Sequence, residues 1–192
     1  MNEFRKLPDK YEEPISVFMY QLIELTSNII TNKIHPNIIT LSNIILRIYI
    51  MHNLQKNIYK NIPIYIIFSC FLDYLDGYIA RKYNMITELG YYLDHIGDTI
   101  FLLFILYIMI TKLNNKYKYK ILFILFLFVI SNLINLGCTE KYYQLNNSDT
   151  LNTLKKFCIS KKLLNLSKFF GMLSAHIFFG YIFYNNKTYL KK

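Results

Sequence analysis

A chain of 192 residues has room for one domain or two very small ones, which excludes large multidomain machines. Hydrophobic residues make up 54% and charged residues 18%, against roughly 45–50% and about 25% in an ordinary soluble domain, and mean hydropathy is +0.23, so a disordered chain is excluded too. Lys and Arg number 22 against 12 acids, for a formal charge of +10, but the lysines stand between apolar blocks, a distribution that favours lipid rather than nucleic acid as the partner.

Taken in chain order, residues 1–36 form an N-terminal segment. Its start, MNEFRKLPDKYEEP, lacks the apolar stretch of a signal peptide. Residues 14–31 place Val17, Tyr20, Ile23, Leu25 and Ile29 within a broad apolar face, while Gln21 and Glu24 break any continuous apolar run. That pattern predicts an amphipathic helix lying in the membrane interface. A spanning helix needs about 20 mostly apolar residues, and five windows qualify. Residues 37–54 form a weaker first span interrupted by Asn43 and Arg47; residues 61–80 form a second. Residues 98–112, extended back through Leu93, form a third. Residues 119–138 are the clearest, and residues 163–185, containing His176, are the fifth. Residues 141–162 read as a lysine-rich loop with a short interfacial helix around Leu151 to Leu163. Residues 186–192 are a basic tail.

The expected fold is therefore all-α: a polytopic membrane bundle of five to six transmembrane helices over residues 37–185, preceded by the interfacial helix. Cys70, Cys138 and Cys158 form no CxxC pair and suggest neither a disulfide framework nor a zinc site. With five spans, twelve Lys and Arg fall on one side and nine on the other. This predicts a cytoplasmic N-terminus, a cytoplasmic loop between the second and third spans, and an unused glycosylation sequon at Asn146.

Only six aspartates occur, and Asp73, Asp76, Asp94 and Asp98 lie within 26 residues across the junction of the second and third spans. Spacings of i, i+3 and i, i+4 give each pair one helix face, and the short connection makes the two helices antiparallel neighbours. Ionised groups near lipid are expensive, so something cationic must hold them. Oxygen ligands without a cysteine or histidine set suit Mg²⁺, Mn²⁺ or Ca²⁺, and Mg²⁺ characteristically shares carboxylates with substrate phosphates. Gly77, Ala80, Gly90 and Gly97 stand in the same region, where small residues either let a ligand approach the backbone or let helices pack. Arg81 offers a planar fork for phosphate. A channel or transporter whose aspartates line an ion path is the alternative of another class, and Arg81 beside a cation path argues against it.

The run Asp73-Tyr-Leu-Asp76-Gly77-Tyr-Ile-Ala80-Arg81, with Gly90, Asp94 and Asp98 following at fixed intervals, resembles the signature DxxDGxxARx8GxxxDxxxD of the CDP-alcohol phosphatidyltransferases. His35-Pro36-Asn37-Ile-Ile-Thr40-Leu41 is similar to the stretch that opens that family's first span. The resemblance implies that Asp73, Asp76 and Asp94 ligate a pair of divalent metals, Mg²⁺ or Mn²⁺, with Asp98 contributing or standing beside them as the base. It implies that Gly77, Ala80 and Arg81 contact the CMP portion of a CDP-linked donor and that Gly90 gives the nucleotide room. An acceptor alcohol would then attack phosphorus and CMP would leave.

Two donor classes stay open on this reading. Residues Leu75 to Lys82 look like enzymes that use CDP-diacylglycerol, whereas Asp94-His95-Ile96-Gly97-Asp98 is similar to the CDP-choline and CDP-ethanolamine phosphotransferases. Chain length and the first-half match favour CDP-diacylglycerol. The family's core has six spans where five are placed here, and a homodimer is an open alternative. Lys155, Lys156, Lys161 and Lys162 are read either as an acceptor-phosphate site or as a loop drawn to anionic lipid. Arg47, inside a span, must reach water, phosphate or a carboxylate.

Overall fold

The computed structural model describes residues 12–27, 34–143 and 154–191. The sequon at Asn146, the early basic residues Arg5, Lys6, Lys10 and Lys33, and Ile29 lie outside these. The described residues are helical, without strands: α1 (Pro14–Ser27), α2 (Pro36–Gln55), α3 (Ile62–Lys82), α4 (Glu88–Lys112), α5 (Asn115–Tyr143), α6 (Lys161–Ser167), α7 (Met172–Tyr184) and α8 (Asn186–Tyr189), with 3-10 turns at Lys155–Phe157 and Lys168–Phe170. By length and composition α3, α4, α5 and the stretch Lys161–Tyr184 can cross a membrane. The 20-residue α2 falls short of the same apolar standard because Thr40, Asn43, Arg47, His52 and Asn53 interrupt it.

Large apolar side chains stay exposed along these helices, among them Ile45 and Ile48 of α2, Leu103 and Tyr107 of α4, and Phe123 and Phe126 of α5. A soluble monomer rarely leaves so much contiguous apolar surface in water. Lipid satisfies it, and the protein is an integral membrane protein.

The chain divides into two compact units. One comprises Met19–Leu122 with His176–Lys192. In it α2 packs along both α3 and α4, while α3 and α4 make no comparably extensive contact with each other. The tight connection thus makes α3 and α4 successive, and α2 is the helix that joins them. The buried stripe of α2 runs through Pro36, Ile39, Thr40, Asn43, Arg47, Ile50, Asn53 and Leu54, at helical spacing, polar in the middle and mostly apolar at its two ends. Ile50, Leu54, Ile66, Ile105 and Ile108 are fully buried. The ammonium of Lys112 closes the far end by donating to the carbonyls of Leu54 (2.6 Å) and Gln55 (3.0 Å) and to Asn57 Oδ1 (2.7 Å), which supplies partners for the final carbonyls of α2. The basic tail is docked here as well: Asn114 donates its N–H to Tyr189 O and Lys191 donates to Lys112 O, both at 2.8 Å.

The second unit comprises the residues up to Phe18 with Phe123–Ala175. Here two expectations are corrected. Cys138 and Cys158 are disulfide-bonded, with Cα atoms 4.9 Å apart, because the segment after α5 returns and lays Cys158 against Cys138, Leu164 and Ile134 in one small core. Their distant sequence positions, without a CxxC pattern, carried no such signal; Cys70 takes no part in a disulfide. The interfacial helix expected around Leu151 to Leu163 is split, since Cys158–Ser160 is extended between the 3-10 turn and α6.

The fifth span is likewise broken, at Gly171. The Glu13 carboxylate accepts from the N–H groups of Leu173 (3.3 Å) and Ser174 (2.7 Å), from the Ser174 hydroxyl and from Ser16 Oγ (3.2 Å). An anion there satisfies the open donors of the first turn of α7 and faces the positive end of its dipole. A side chain at position 171 would run into that carboxylate.

In α1 the buried positions are Ser16, Met19, Tyr20 and Ile23, whereas Ile15, Phe18, Leu22 and Leu25 are exposed. Leu25, expected on the same face as Tyr20 and Ile23, belongs to this second apolar stripe, which suits an interfacial helix with lipid on one side and protein on the other. Replacing Lys112 by Met removes three charge-assisted bonds and is expected to lower stability by about 1–3 kcal/mol. Thermal unfolding in detergent reads this directly, and an unchanged transition would dismiss the cap.

Candidate metal and substrate site

The second half of α3 carries Asp73, Asp76, Gly77, Ala80 and Arg81. The first half of α4 carries Gly90, Asp94, Gly97 and Asp98. Helical spacing lines up each set, and the connection between them fixes the register. Tyr83 N–H reaches Ile79 O (3.0 Å) and Met85 N–H reaches Ala80 O (2.9 Å), with Asn84 in the left-handed region at φ 53°. Thr87 then starts α4 by accepting the N–H of Gly90 (3.0 Å) in the manner of a helix N-cap.

Three of the four aspartates come together. Asp73, Asp94 and Asp98 each offer a carboxylate oxygen, and these oxygens all lie within 4.8 Å of one another. Arg47, on α2 and only 5% exposed, reaches into the group. Its Nη2 lies 2.9 Å from Asp73 Oδ1 and 2.6 Å from Asp98 Oδ1. The first contact is a hydrogen bond. The second is an ion pair outside hydrogen-bonding geometry, so the buried Asp98 Oδ1 has no hydrogen-bond donor. Arg47 Nε donates to Ser69 Oγ (3.2 Å), and Ser69 in turn donates to Asn43 Oδ1 (2.6 Å). The guanidinium also lies 5.5 Å from the centroid of the Phe101 ring, within cation–π range.

Asp76 stands outside the three-carboxylate group. It is buried, and Thr40 Oγ1 donates to its Oδ2 at 2.6 Å. The Arg81 guanidinium folds back over Gly77, with Nη1 3.2 Å from where a Cβ would stand. Ala80 is half-buried. At Gly90 a Cβ would come within 2.6 Å of Asn37 Oδ1, an acceptor that also takes the Thr87 hydroxyl at 3.2 Å. That space thus belongs to the packing of the α2 and α4 ends. Gly97 lets α4 approach Ile44 and Arg47. His95 is exposed, its ring 4.2 Å from that of Tyr91 and its Nδ1 3.9 Å from Asp94.

Thr40, Asn43, Ser69, Asn37 and Thr87 are site residues that the sequence reading did not single out as such. The signal that could have found them is the stripe Thr40, Asn43, Arg47 at i, i+3, i+7, which puts three polar groups on one face of an otherwise apolar helix. Phe101 is buried and stacks on His176 at 6.1 Å. Asn132 donates to Phe128 O (2.8 Å), and Asn135 and Ser131 bond across to Ser167, at Oγ and O respectively (both 3.3 Å).

The donor set fits a hard divalent cation. Oxygens this close are spanned by metal–oxygen bonds of about 2.0–2.6 Å. The three carboxylates exceed the single guanidinium by two negative charges when all are ionised, and one buried carboxylate oxygen lacks a hydrogen-bond donor. An integral-membrane helical protein with a compact acidic group between two helices, suited to a hard divalent cation, is the class these observations define.

The family model of the CDP-alcohol phosphatidyltransferases matches residues 33–178, most of the chain, and the chain belongs to that family. Similar proteins include the CDP-diacylglycerol–glycerol-3-phosphate 3-phosphatidyltransferase of Aquifex aeolicus, 35% identical over 69 residues, which are 36% of this chain and 39% of the relative. The protein of that name from Rickettsia felis is 34% identical over 96 residues, 47% and 51% of the two chains. The CDP-diacylglycerol–serine O-phosphatidyltransferase of Bacillus subtilis is 32% identical over 65 residues, 34% and 37%. The matched part spans between about a third and a half of these relatives. No solved structure matches the chain significantly.

Thr40 is the donor on which buried Asp76 draws. Thr40→Val is expected to cost about 1–3 kcal/mol, the range for a buried polar group left without its partner, while Thr40→Ser retains the wild-type melting temperature. Equal melting of all three proteins would show that Asp76 does not depend on the hydroxyl.

Proposed function

We propose that this protein transfers a substituted phosphate from a CDP-linked alcohol to an acceptor alcohol and releases CMP. The donor is CDP-diacylglycerol. The single observation that carries the reading is the convergence of Asp73, Asp94 and Asp98 from two helices onto one point, with oxygens within 4.8 Å, in a chain of this family. The names of the relatives, which couple CDP-diacylglycerol to glycerol-3-phosphate or to serine, support that donor and a small polar acceptor. They favour it over CDP-choline or CDP-ethanolamine.

Asp73, Asp94 and Asp98 hold the divalent ion, Mg²⁺ or Mn²⁺, and Asp76 serves a second ion of a two-metal site. When bound, such ions neutralise the diphosphate and stabilise the departing phosphate. Everything else falls to the chain itself. Arg81 offers a planar donor fork to the donor's phosphate or ribose side, with Gly77 and Ala80 keeping that stretch of α3 free of bulk. A carboxylate oxygen of Asp98 takes the proton of the acceptor hydroxyl. The new bond joins the acceptor's hydroxyl oxygen to phosphorus, the phosphorus–oxygen bond to CMP breaks, and CMP leaves with the electron pair. The site faces the cytoplasm, the side that the lysines and arginines favour.

Purified protein in detergent or nanodiscs, given CDP-diacylglycerol, Mn²⁺ and glycerol-3-phosphate or serine, is expected to release CMP, and to stop when the metal is chelated. CMP release only with CDP-choline or CDP-ethanolamine and diacylglycerol would move the donor assignment. No CMP from any pairing would sink the proposal. Asp98→Asn is expected to lower turnover by at least about a hundredfold, within the usual contribution of general-base catalysis. Full turnover in that variant would remove Asp98 from the proton-accepting role.

A further inference from the structure

Arg47 is seated too carefully to be a stray charge in a helix. Its Nε is tied to Ser69, and Ser69 is tied to Asn43. Gly97 leaves room for Nη1, which lies 3.5 Å from where a Cβ would stand. Phe101 covers one face. The one atom directed at the acidic group, Nη2, is shared by Asp73 and Asp98. These are two of the three carboxylates grouped closely enough to hold a cation. A guanidinium and a divalent ion therefore draw on the same two carboxylates, and each weakens the hold of the other.

We infer that Arg47 is a built-in counter-cation that competes with the divalent ion for Asp73 and Asp98, and so sets the metal concentration at which the site fills. Without metal, the buried guanidinium keeps these half-buried carboxylates from facing one another uncompensated, and removing one partner of such a pair is costly. With metal present, its charge opposes the incoming ion. The outcome is a site that folds before it is loaded and holds its ion less tightly than three carboxylates alone would. Arg47 is a positioning residue on this account, acting through the carboxylates. The inference rests on the reading that those carboxylates bind a divalent ion.

The test measures metal binding and not turnover. Full-length protein in detergent, stripped by chelation, is titrated with Mn²⁺ while free Mn²⁺ is followed by electron paramagnetic resonance, and melting is recorded with and without the ion. Arg47→Met is expected to bind Mn²⁺ about tenfold or more tightly than wild type, a change well within the coupling of close buried charge pairs. It is also expected to melt lower than wild type without metal, and to gain more from Mn²⁺. Arg47→Lys returns toward wild-type affinity. A merely structural arginine would give weaker or unaltered Mn²⁺ binding on its removal, and either result, in a variant of native helix content, overturns the inference.

An Arg47→Met protein that folds only with Mn²⁺ supports it, since the ion then replaces the lost charge. Should Arg47→Met not fold at all, Ser69→Ala loosens the guanidinium seat without removing charge and is expected to tighten Mn²⁺ binding; unaltered affinity there overturns the inference. Absence of Mn²⁺ binding to wild type and every variant strikes the metal reading itself. Mn²⁺ binding that ignores position 47 strikes this inference alone.

Discussion

One guanidinium placed between Asp73 and Asp98 governs how the rest of this region is built. Carboxylates on helices that traverse lipid cannot be left unneutralised, and α3 and α4 bring three of them together. The countercharge has to come from a third element. That element is α2, and the need explains why it falls short of the apolar standard for a span that α3, α4 and α5 meet. Thr40, Asn43 and Arg47 make it a poor span by composition and a good partner for acidic helices. Its C-terminal half, with Ile50 and Leu54 fully buried, supplies the apolar packing that holds the polar half in register.

The local devices serve the same end. The Thr87 cap links the start of α4 to Asn37 at the start of α2, and the absence of side chains at Gly90 and Gly97 lets those helices come close where the acidic group sits. Close approach of small residues is how membrane helices gain packing that lipid would otherwise match. Glycines that look like room for a ligand in the sequence also stand beside side chains of the protein, Gly90 beside Asn37 and Gly77 beside the Arg81 guanidinium. In the other unit Glu13 does for α7 what Arg47 does for the aspartates: a charge from a distant segment satisfies groups that their own helix cannot.

Much of this was legible before any coordinates. Residues 119–138 fall inside α5, and residues 61–80 fall inside α3 apart from its N-cap Asn61, because an unbroken apolar run long enough to cross lipid has few other conformations open to it. The four aspartates and their spacing pointed to a shared face. What escaped was pairing between distant segments. Cys138 and Cys158 meet only because the chain returns after α5. The fifth span breaks at Gly171, where the carboxylate of Glu13 occupies the space that a side chain there would need. Asn43 and Arg47 counted as defects of a span when helix 37–54 was considered by itself, and as ligands of α3 and α4 once the three helices are seen together.

The order of residues by itself determined the helices, their lipid character, and the acidic run on α3 and α4, since these depend on composition and on a period of 3.6 residues. Tertiary structure alone decided which aspartates converge, that Asp76 turns to Thr40 instead, and that α2 stands in contact with both acidic helices. The physical reason is range. Helix formation and partition into lipid are settled within some twenty neighbouring residues, whereas compensating a buried charge requires a partner whose distance along the chain has no bearing on its distance in space.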